Sequence, residues 1–223
     1  MLKWITFTGP DHTISKEDLA SLCRNSPRSV EIAFLVSSSK AGTARYPTLD
    51  LAIDLADAVR GAGQKVAVHL CGRVAKAFLM EGTQAPKQRN LWDLLRLAGR
   101  VQVNASSAIM TENNLDNAQD LLAPAEVIFQ LRRLQFPTAR AGRSWLFDKS
   151  GGRGTEPSEW PALPTDQIAG LAGGLGPGRI APLLARLGQT EPGYWIDMES
   201  SLRSPEDTFS RGQCERVLEE AYR

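Results

Sequence analysis

Asp148 stands where chemistry is feasible. It follows the apolar run Trp145-Leu146-Phe147 and precedes Lys149-Ser150-Gly151-Gly152-Arg153-Gly154. Such a run reads as a strand buried on both faces, and a carboxylate at its end has a desolvation cost that neighbours must offset. The glycines behind it let backbone N–H groups come close to a ligand, phosphate above all. One acid and one anion cradle thus lie side by side. A second glycine pair, Gly173-Gly174, ends the apolar stretch 168–172. Pro177 suits the first turn of a following helix that Gly188 ends, so an anion-attracting helix N-terminus comes next. The alternative for both loops is plain turn and packing geometry.

Other candidates fall at corresponding places. His69 and Cys71 end the run 65–70, and strand alternation puts both on one face. Either is a candidate base, the imidazole or the thiol; equally they are a buried polar residue and a buried thiol. His12 lies on a loop near the N-terminus. Lys149 adjoins Asp148 and faces the other way, so the two are not both catalytic. Cys23 and Cys214 fall on helical faces and read as core, as Trp92, Trp160 and Trp195 read as core or interface anchors.

These residues need strands to position them. Apolar or β-rich runs fall at 4–8, 30–36, 65–70, 101–104, 126–131, 145–147, 168–172 and 194–198. Helical spacing or capping falls between most of them: 15–24 opened by the box-like Ser15-Lys16-Glu17-Asp18, 49–59 closed by Gly61 and Gly63, 73–80, 90–98, 116–122 and 213–222. Short apolar strands separated by helices imply parallel strands with crossover helices. A closed eight-stranded (β/α)8 barrel and an open doubly wound sheet both fit. The 223 residues suit a compact barrel in a single domain, 1–223, and no G-x-G-x-x-G follows the first strand. The sixth crossover is expected to be short. In a barrel the site lies at the C-terminal strand ends, which selects Thr8, Arg45, His69, Cys71, Asn104, Arg132, Asp148, Gly173, Gly174, Asp197 and Ser200.

Composition bounds the partners. The net charge of +1 supplies no field toward nucleic acid or membrane, and no apolar run approaches the ~20 residues of a membrane span. The start of the chain has no signal-peptide layout. Three widely spaced cysteines form no C-x-x-C pair, so the expectation is reduced thiols in a cytoplasm, with no metal and no cofactor. The expected partner is a small phosphorylated or anionic substrate, bound by a monomer or homodimer.

The chain resembles the phosphoribosylanthranilate isomerases of tryptophan biosynthesis. Their sixth strand carries L-L-D, then G-G-T-G and F-D-W; here stand Leu146-Phe147-Asp148, Gly151-Gly152-Arg153-Gly154 and Ser158-Glu159-Trp160. Their seventh carries L-A-G-G-L-N-P-E-N-V, against Leu171-Ala172-Gly173-Gly174-Leu175-Gly176-Pro177-Gly178-Arg179-Ile180. Their eighth carries V-D-V-S-S-G-V-E, against Ile196-Asp197-Met198-Glu199-Ser200-Ser201-Leu202-Arg203. Ala44-Arg45-Tyr46 partly matches their S-P-R-Y, and Val101-Gln102-Val103-Asn104-Ala105 their V-Q-L-H-G. The resemblance implies an Amadori-type aldose–ketose isomerisation of a phosphoribosyl amine. Asp148 would be the general acid, and Arg45, Gly152, Gly154, Gly173, Gly174, Asp197 and Ser200 would bind substrate or its phosphate. The family's base is the cysteine of K-I-C-G on the first strand. Here that stretch is Ile5-Thr6-Phe7-Thr8-Gly9, so Thr8 occupies the base's position. A threonine hydroxyl needs an adjacent base to act, and Cys71 is the candidate replacement. Gly176, Glu199 and Ser201 depart from the pattern as well. Two alternatives stand beside this reading: a diverged barrel acting on another small anionic substrate as isomerase, epimerase or lyase, and a non-catalytic ligand-binding protein.

Overall fold

A computed structural model of the protein describes residues 1–26, 30–80, 86–151 and 153–222. Its eight strands are β1 (Leu2–Thr8), β2 (Val30–Val36), β3 (Lys65–Cys71), β4 (Arg100–Asn104), β5 (Glu126–Leu131), β6 (Arg143–Phe147), β7 (Ala169–Ala172) and β8 (Tyr194–Met198). Each pairs in parallel with the next, and β8 closes on β1. The chain is therefore a single closed parallel barrel, and the open-sheet alternative is excluded. Its α-helices are α1 (Lys16–Asn25), α2 (Leu49–Gly61), α3 (Arg73–Met80), α4 (Arg89–Leu97), α5 (Glu112–Leu122), α6 (Ile180–Leu187) and α7 (Arg211–Ala221). Ser15, Thr48, Thr111 and Ser210 cap four of them, each accepting from the backbone N–H three residues on.

The crossovers differ from expectation in one respect. The link 148–168 between β6 and β7 is not short: it is a long excursion with no helix among its described residues. The shorter helix-free link is 132–142, between β5 and β6. Both are rich in glycine, proline or arginine and lack an apolar helical stripe, so nothing drives a helix onto the barrel there. Pro177 also lies in the turn before α6 rather than within it.

The strands bury both faces. Outward side chains such as Phe7, Ile32, Phe34 and Val68 pack beneath the helices, whereas Ile128, Leu146, Ala172 and Trp195 fill the barrel. Trp195 takes so much of that interior that β7 must yield: a Cβ on Gly170 would lie 2.4 Å from the Trp195 ring and 2.5 Å from Leu146. Trp195 stacks on Trp4 at 5.5 Å, and the Arg100 guanidinium lies 4.1 Å from the Trp195 ring and 4.6 Å from the Trp4 ring. Arg100 is paired with buried Glu31 at 3.0 Å, and Glu31 accepts from Thr6. This aromatic and ionic layer fills the N-terminal half of the barrel. Among the described residues no helix is long and apolar enough to cross a membrane, and no cluster of His, Cys, Asp and Glu could hold a metal ion.

Candidate active site

A cavity of about 480 Å³ opens among the C-terminal strand ends. Two chemically distinct sets of residues line it. One comes from the strands: His69, Gln102, Asn104, Gln130, Asp148 and Asp197. The other comes from the loops after β7 and β8 and from α7: Gly173, Gly174, Arg179, Ser200, Ser201 and Arg216. The first set offers proton donors and acceptors. The second offers glycine backbone, hydroxyls and two guanidinium groups, a suitable surround for an anion.

Two carboxylates of opposite environment share the cavity. Asp148 is encircled by donors: its Oδ1 accepts from the Ser150 hydroxyl at 2.7 Å, the Ser150 N–H at 3.0 Å and the Gly151 N–H at 3.2 Å, and its Oδ2 from the Gln130 amide at 3.3 Å. The glycine loop after β6 thus offsets the cost of burying this carboxylate. Among the described residues Asp197 has one such donor, the Thr8 hydroxyl, 2.6 Å from its Oδ1. Burial pushes the Asp197 carboxyl up to about 7; the Thr8 bond opposes the rise, and the negative charges of Glu199, Glu31 and Asp148 add to it. Thr8, at the position where the resemblance expects a thiolate base, therefore holds a carboxyl that titrates near neutrality.

The remaining sequence candidates are distributed as follows. Arg45 lies at the rim, where its guanidinium is engaged by Asp207 at 2.9 and 3.1 Å, Glu199 at 3.2 Å and the Ser200 hydroxyl at 3.1 Å. Burial raises the Glu199 carboxyl against the lowering effect of Arg45. Cys71 is half-buried outside the cavity wall; its thiol donates to the His69 carbonyl and accepts from the Asn104 amide at 3.4 Å. Burial holds that thiol above the ordinary range, which disfavours the thiolate. Lys149 and His12 are exposed, and Cys23 and Cys214 are buried. Of the arginines near the mouth, Arg179 donates to the Gly174 carbonyl at 3.1 Å, Arg203 is consumed in a buried network and Arg153 is exposed.

The glycine loops are packed against one another. Gly152 falls outside the described residues. Gly154 and Gly174 both have positive φ, +66°; a Cβ on Gly174 would lie 2.6 Å from the Glu156 backbone nitrogen, and one on Gly154 2.9 Å from the Ser200 side chain. Gly173 lines the cavity beside them. The N–H of Gly178, in the turn leading to α6, is already taken by the Glu220 carboxylate at 2.7 and 2.8 Å. On the loop side the cavity is thus lined by Gly173-Gly174 and Ser200-Ser201.

Two departures from the resembled pattern prove to be one. A Cβ on Gly176 would lie 2.3 Å from both Cβ and Oγ of Ser201. The space of a side chain after β7 is occupied by a side chain after β8, and Ser201 donates to the Leu175 carbonyl from there. Gly176→Asn is expected to lower stability by about 1–3 kcal/mol through overpacking. Adding Ser201→Gly is expected to recover most of that loss in denaturant titration. An equal loss in single and double variants would show that the two positions are independent.

Gln102 and Gln130, which the sequence reading passed over, form part of the cavity wall. A signal was present: each is an amide inside an otherwise apolar strand, on the same alternation as a strand-end candidate, Asn104 in one case and Arg132 in the other.

Comparison with protein-family models finds no match, and comparison with curated protein sequences finds none. Solved structures do match. A phosphoribosyl anthranilate isomerase of Thermus thermophilus superposes with a TM-score of 0.66 at 17% identity, covering 99% of this chain and 98% of that one. A thiamine phosphate pyrophosphorylase of Pyrococcus furiosus gives 0.51 at 13%, covering 100% and 98%. A phospho-2-dehydro-3-deoxyheptonate aldolase of Thermotoga maritima gives 0.53 at 10%, covering 98% of this chain and 68% of that one. At these identities the likeness is one of fold.

Proposed function

We propose that the protein is a diverged barrel enzyme that isomerises a small phosphorylated substrate by proton transfer between Asp197 and Asp148, with the Amadori rearrangement of a phosphoribosyl amine as the leading reaction. One observation carries the reading: Asp197, a carboxyl raised to about 7, lies in the same cavity as Asp148, whose carboxylate accepts from Ser150, Gly151 and Gln130, and as a glycine- and serine-rich loop pair. A carboxyl that keeps its proton near neutrality beside a second carboxyl arranged as an acceptor suits acid and base roles. Asp197, raised to about 7, is the proton donor to the ring oxygen. As the C1–O bond breaks, the nitrogen lone pair forms an iminium. Asp148, arranged as an acceptor, takes the C2 proton to give an enaminol, which becomes the ketose when the 2-hydroxyl gives its proton to the Asp197 carboxylate and Asp148 returns its proton to C1. The resemblance alone would make Asp148 the acid; the surroundings of the two groups favour the reverse. Gly173, Gly174, Ser200 and Ser201 would hold the phosphate, with Arg179 and Arg216 offsetting its charge. We further infer a cytoplasmic protein, in keeping with its free thiols.

One observation favours a different substrate on the same machinery. Arg45 is already engaged by Glu199 and Asp207, so a substrate carboxylate seated on it would have to displace one of them. A phosphosugar without that carboxylate would not. The test is turnover of phosphoribosylanthranilate by the purified protein, beside complementation of a tryptophan auxotroph lacking the isomerase. Turnover and complementation are expected for the leading reaction. Their absence, with ribose 5-phosphate still bound, would withdraw the Amadori reaction and leave the broader isomerase reading.

A further inference from the structure

His69 is the strand-end residue that this acid–base scheme leaves unused. It points inward from β3, is 3% exposed and lines the cavity that holds Asp148 and Asp197. Among the described residues its ring makes no hydrogen bond, although its neighbours on that wall are tied to one another. The Gln102 amide donates to Asn104 Oδ1 at 2.7 Å, Asn104 donates to Cys71, and Cys71 donates to the His69 backbone carbonyl. Nor are its ring nitrogens among the buried polar atoms sealed away from both solvent and partner. They open onto the cavity.

We propose that His69 is a substrate-contacting residue whose ring N–H is donated to a carbonyl or hydroxyl oxygen of a phosphosugar bound between Asp148 and Asp197. The ring serves as a neutral donor. Burial first, and the charge of Arg100 second, hold its pKa down to about 3, so it carries no proton that could be lost near neutral pH. A neutral imidazole donates from one nitrogen and accepts at the other, which suits an oxygen that alternates between hydroxyl and carbonyl. The inference rests on the proposed reading for the class of ligand, a phosphosugar, and not on the reaction that the ligand undergoes.

The chain has two histidines, and His12, exposed on the loop after β1, serves as an internal control. The experiment follows the 15N resonances of both rings while ribose 5-phosphate is added to the full-length protein. The His69 resonances are expected to move and those of His12 to stay. His69→Phe is expected to weaken ribose 5-phosphate about 5–30-fold, the equivalent of one to two kcal/mol, and His69→Gln, which restores an N–H donor, to recover part of it. If both hold and the parent fails to turn over phosphoribosylanthranilate, the contact stands and the Amadori reading alone falls. If the His69 resonances stay fixed at every ribose 5-phosphate concentration, or both variants bind as the parent does, the inference is overturned, whatever the parent turns over.

Discussion

Asp197→Asn is expected to lower turnover about 10²–10⁴-fold, the contribution of one positioned acid or base, while leaving substrate affinity within a few-fold of the parent. Asn retains the shape and still accepts from Thr8, so the loss reports on the proton alone. The pH profile tests the direction of transfer. If Asp197 must carry a proton, kcat/KM falls as pH rises through about 7; if it is the base, kcat/KM rises there instead. Thr8→Val removes the bond that lowers the Asp197 pKa, so the descending limb should move to higher pH. Stability supplies a check that needs no substrate. Folded Asp197 keeps its proton up to about 7, whereas the unfolded chain loses it near the ordinary aspartate value of 3.8. Between these values the folded state binds more protons, so this group makes the protein less stable as pH rises, and the penalty is constant above 7. Asp197→Asn removes it. The variant should be more stable than the parent at pH 8, by up to about 4 kcal/mol, with the difference closing at pH 4. A pH-independent difference would mean that Asp197 is not raised.

The barrel was legible because local rules and the fold agree. V-E-I-A-F-L-V over β2 and Y-W-I-D-M over β8 are apolar runs of strand length, and the structure bounds both strands where the sequence does. The helical spacing over 49–59, closed by Gly61 and Gly63, falls on α2. Strand ends then locate Asp148, His69 and Asp197 by rule. What the sequence could not disclose are the pairings that closure creates. Thr8 and Asp197 are 189 positions apart, and Arg203 and Asp11 are 192 apart; no periodicity connects them. The same holds for Gly176 and Ser201, each of which looks like an isolated departure until the loops are packed together. The crossover 148–168, with no helix among its described residues, runs longer than expected because glycines and prolines signal a break in structure without saying how far the chain travels before the next strand.

Breaking the Arg203–Asp11 pair is expected to have the largest effect on stability. Asp11, on the loop after β1, is fully buried and accepts from Arg203 at 2.7 Å, the Arg45 N–H at 2.8 Å, and the Thr13 hydroxyl and N–H at 2.6 and 3.0 Å. Arg203 also donates to the Gly9 carbonyl at 2.8 Å and to Asp207 Oδ1 at 3.1 Å. Asp207 in turn holds the Arg45 guanidinium. The network joins the loops after β1, β2 and β8, and it holds Arg45 at φ +71° so that its N–H reaches Asp11. Arg203→Ala leaves a buried carboxylate without its cation and should cost about 3–5 kcal/mol. Asp11→Ala should cost less, because the guanidinium keeps Asp207 and the Gly9 carbonyl. The double variant should lose clearly less than the sum, because Arg203→Ala costs most where it leaves the Asp11 charge buried without its cation. Acid sensitivity follows from the same pair. Burial alone would raise the Asp11 carboxyl, but its bonds from Thr13, Arg45 and Arg203 together hold it below the usual value. A lowered pKa contributes stability that is present above the unfolded value near 4 and is lost as pH falls through the folded value. Arg203→Ala should therefore flatten the acid limb of the stability curve as well as lower its plateau. Because Arg45 bonds both Glu199 and Ser200 at the mouth, ribose 5-phosphate binding should weaken in step with the loss of this support. Additive single and double losses, with an unchanged acid limb, would show that the two charges act separately and that the loops are positioned by other means.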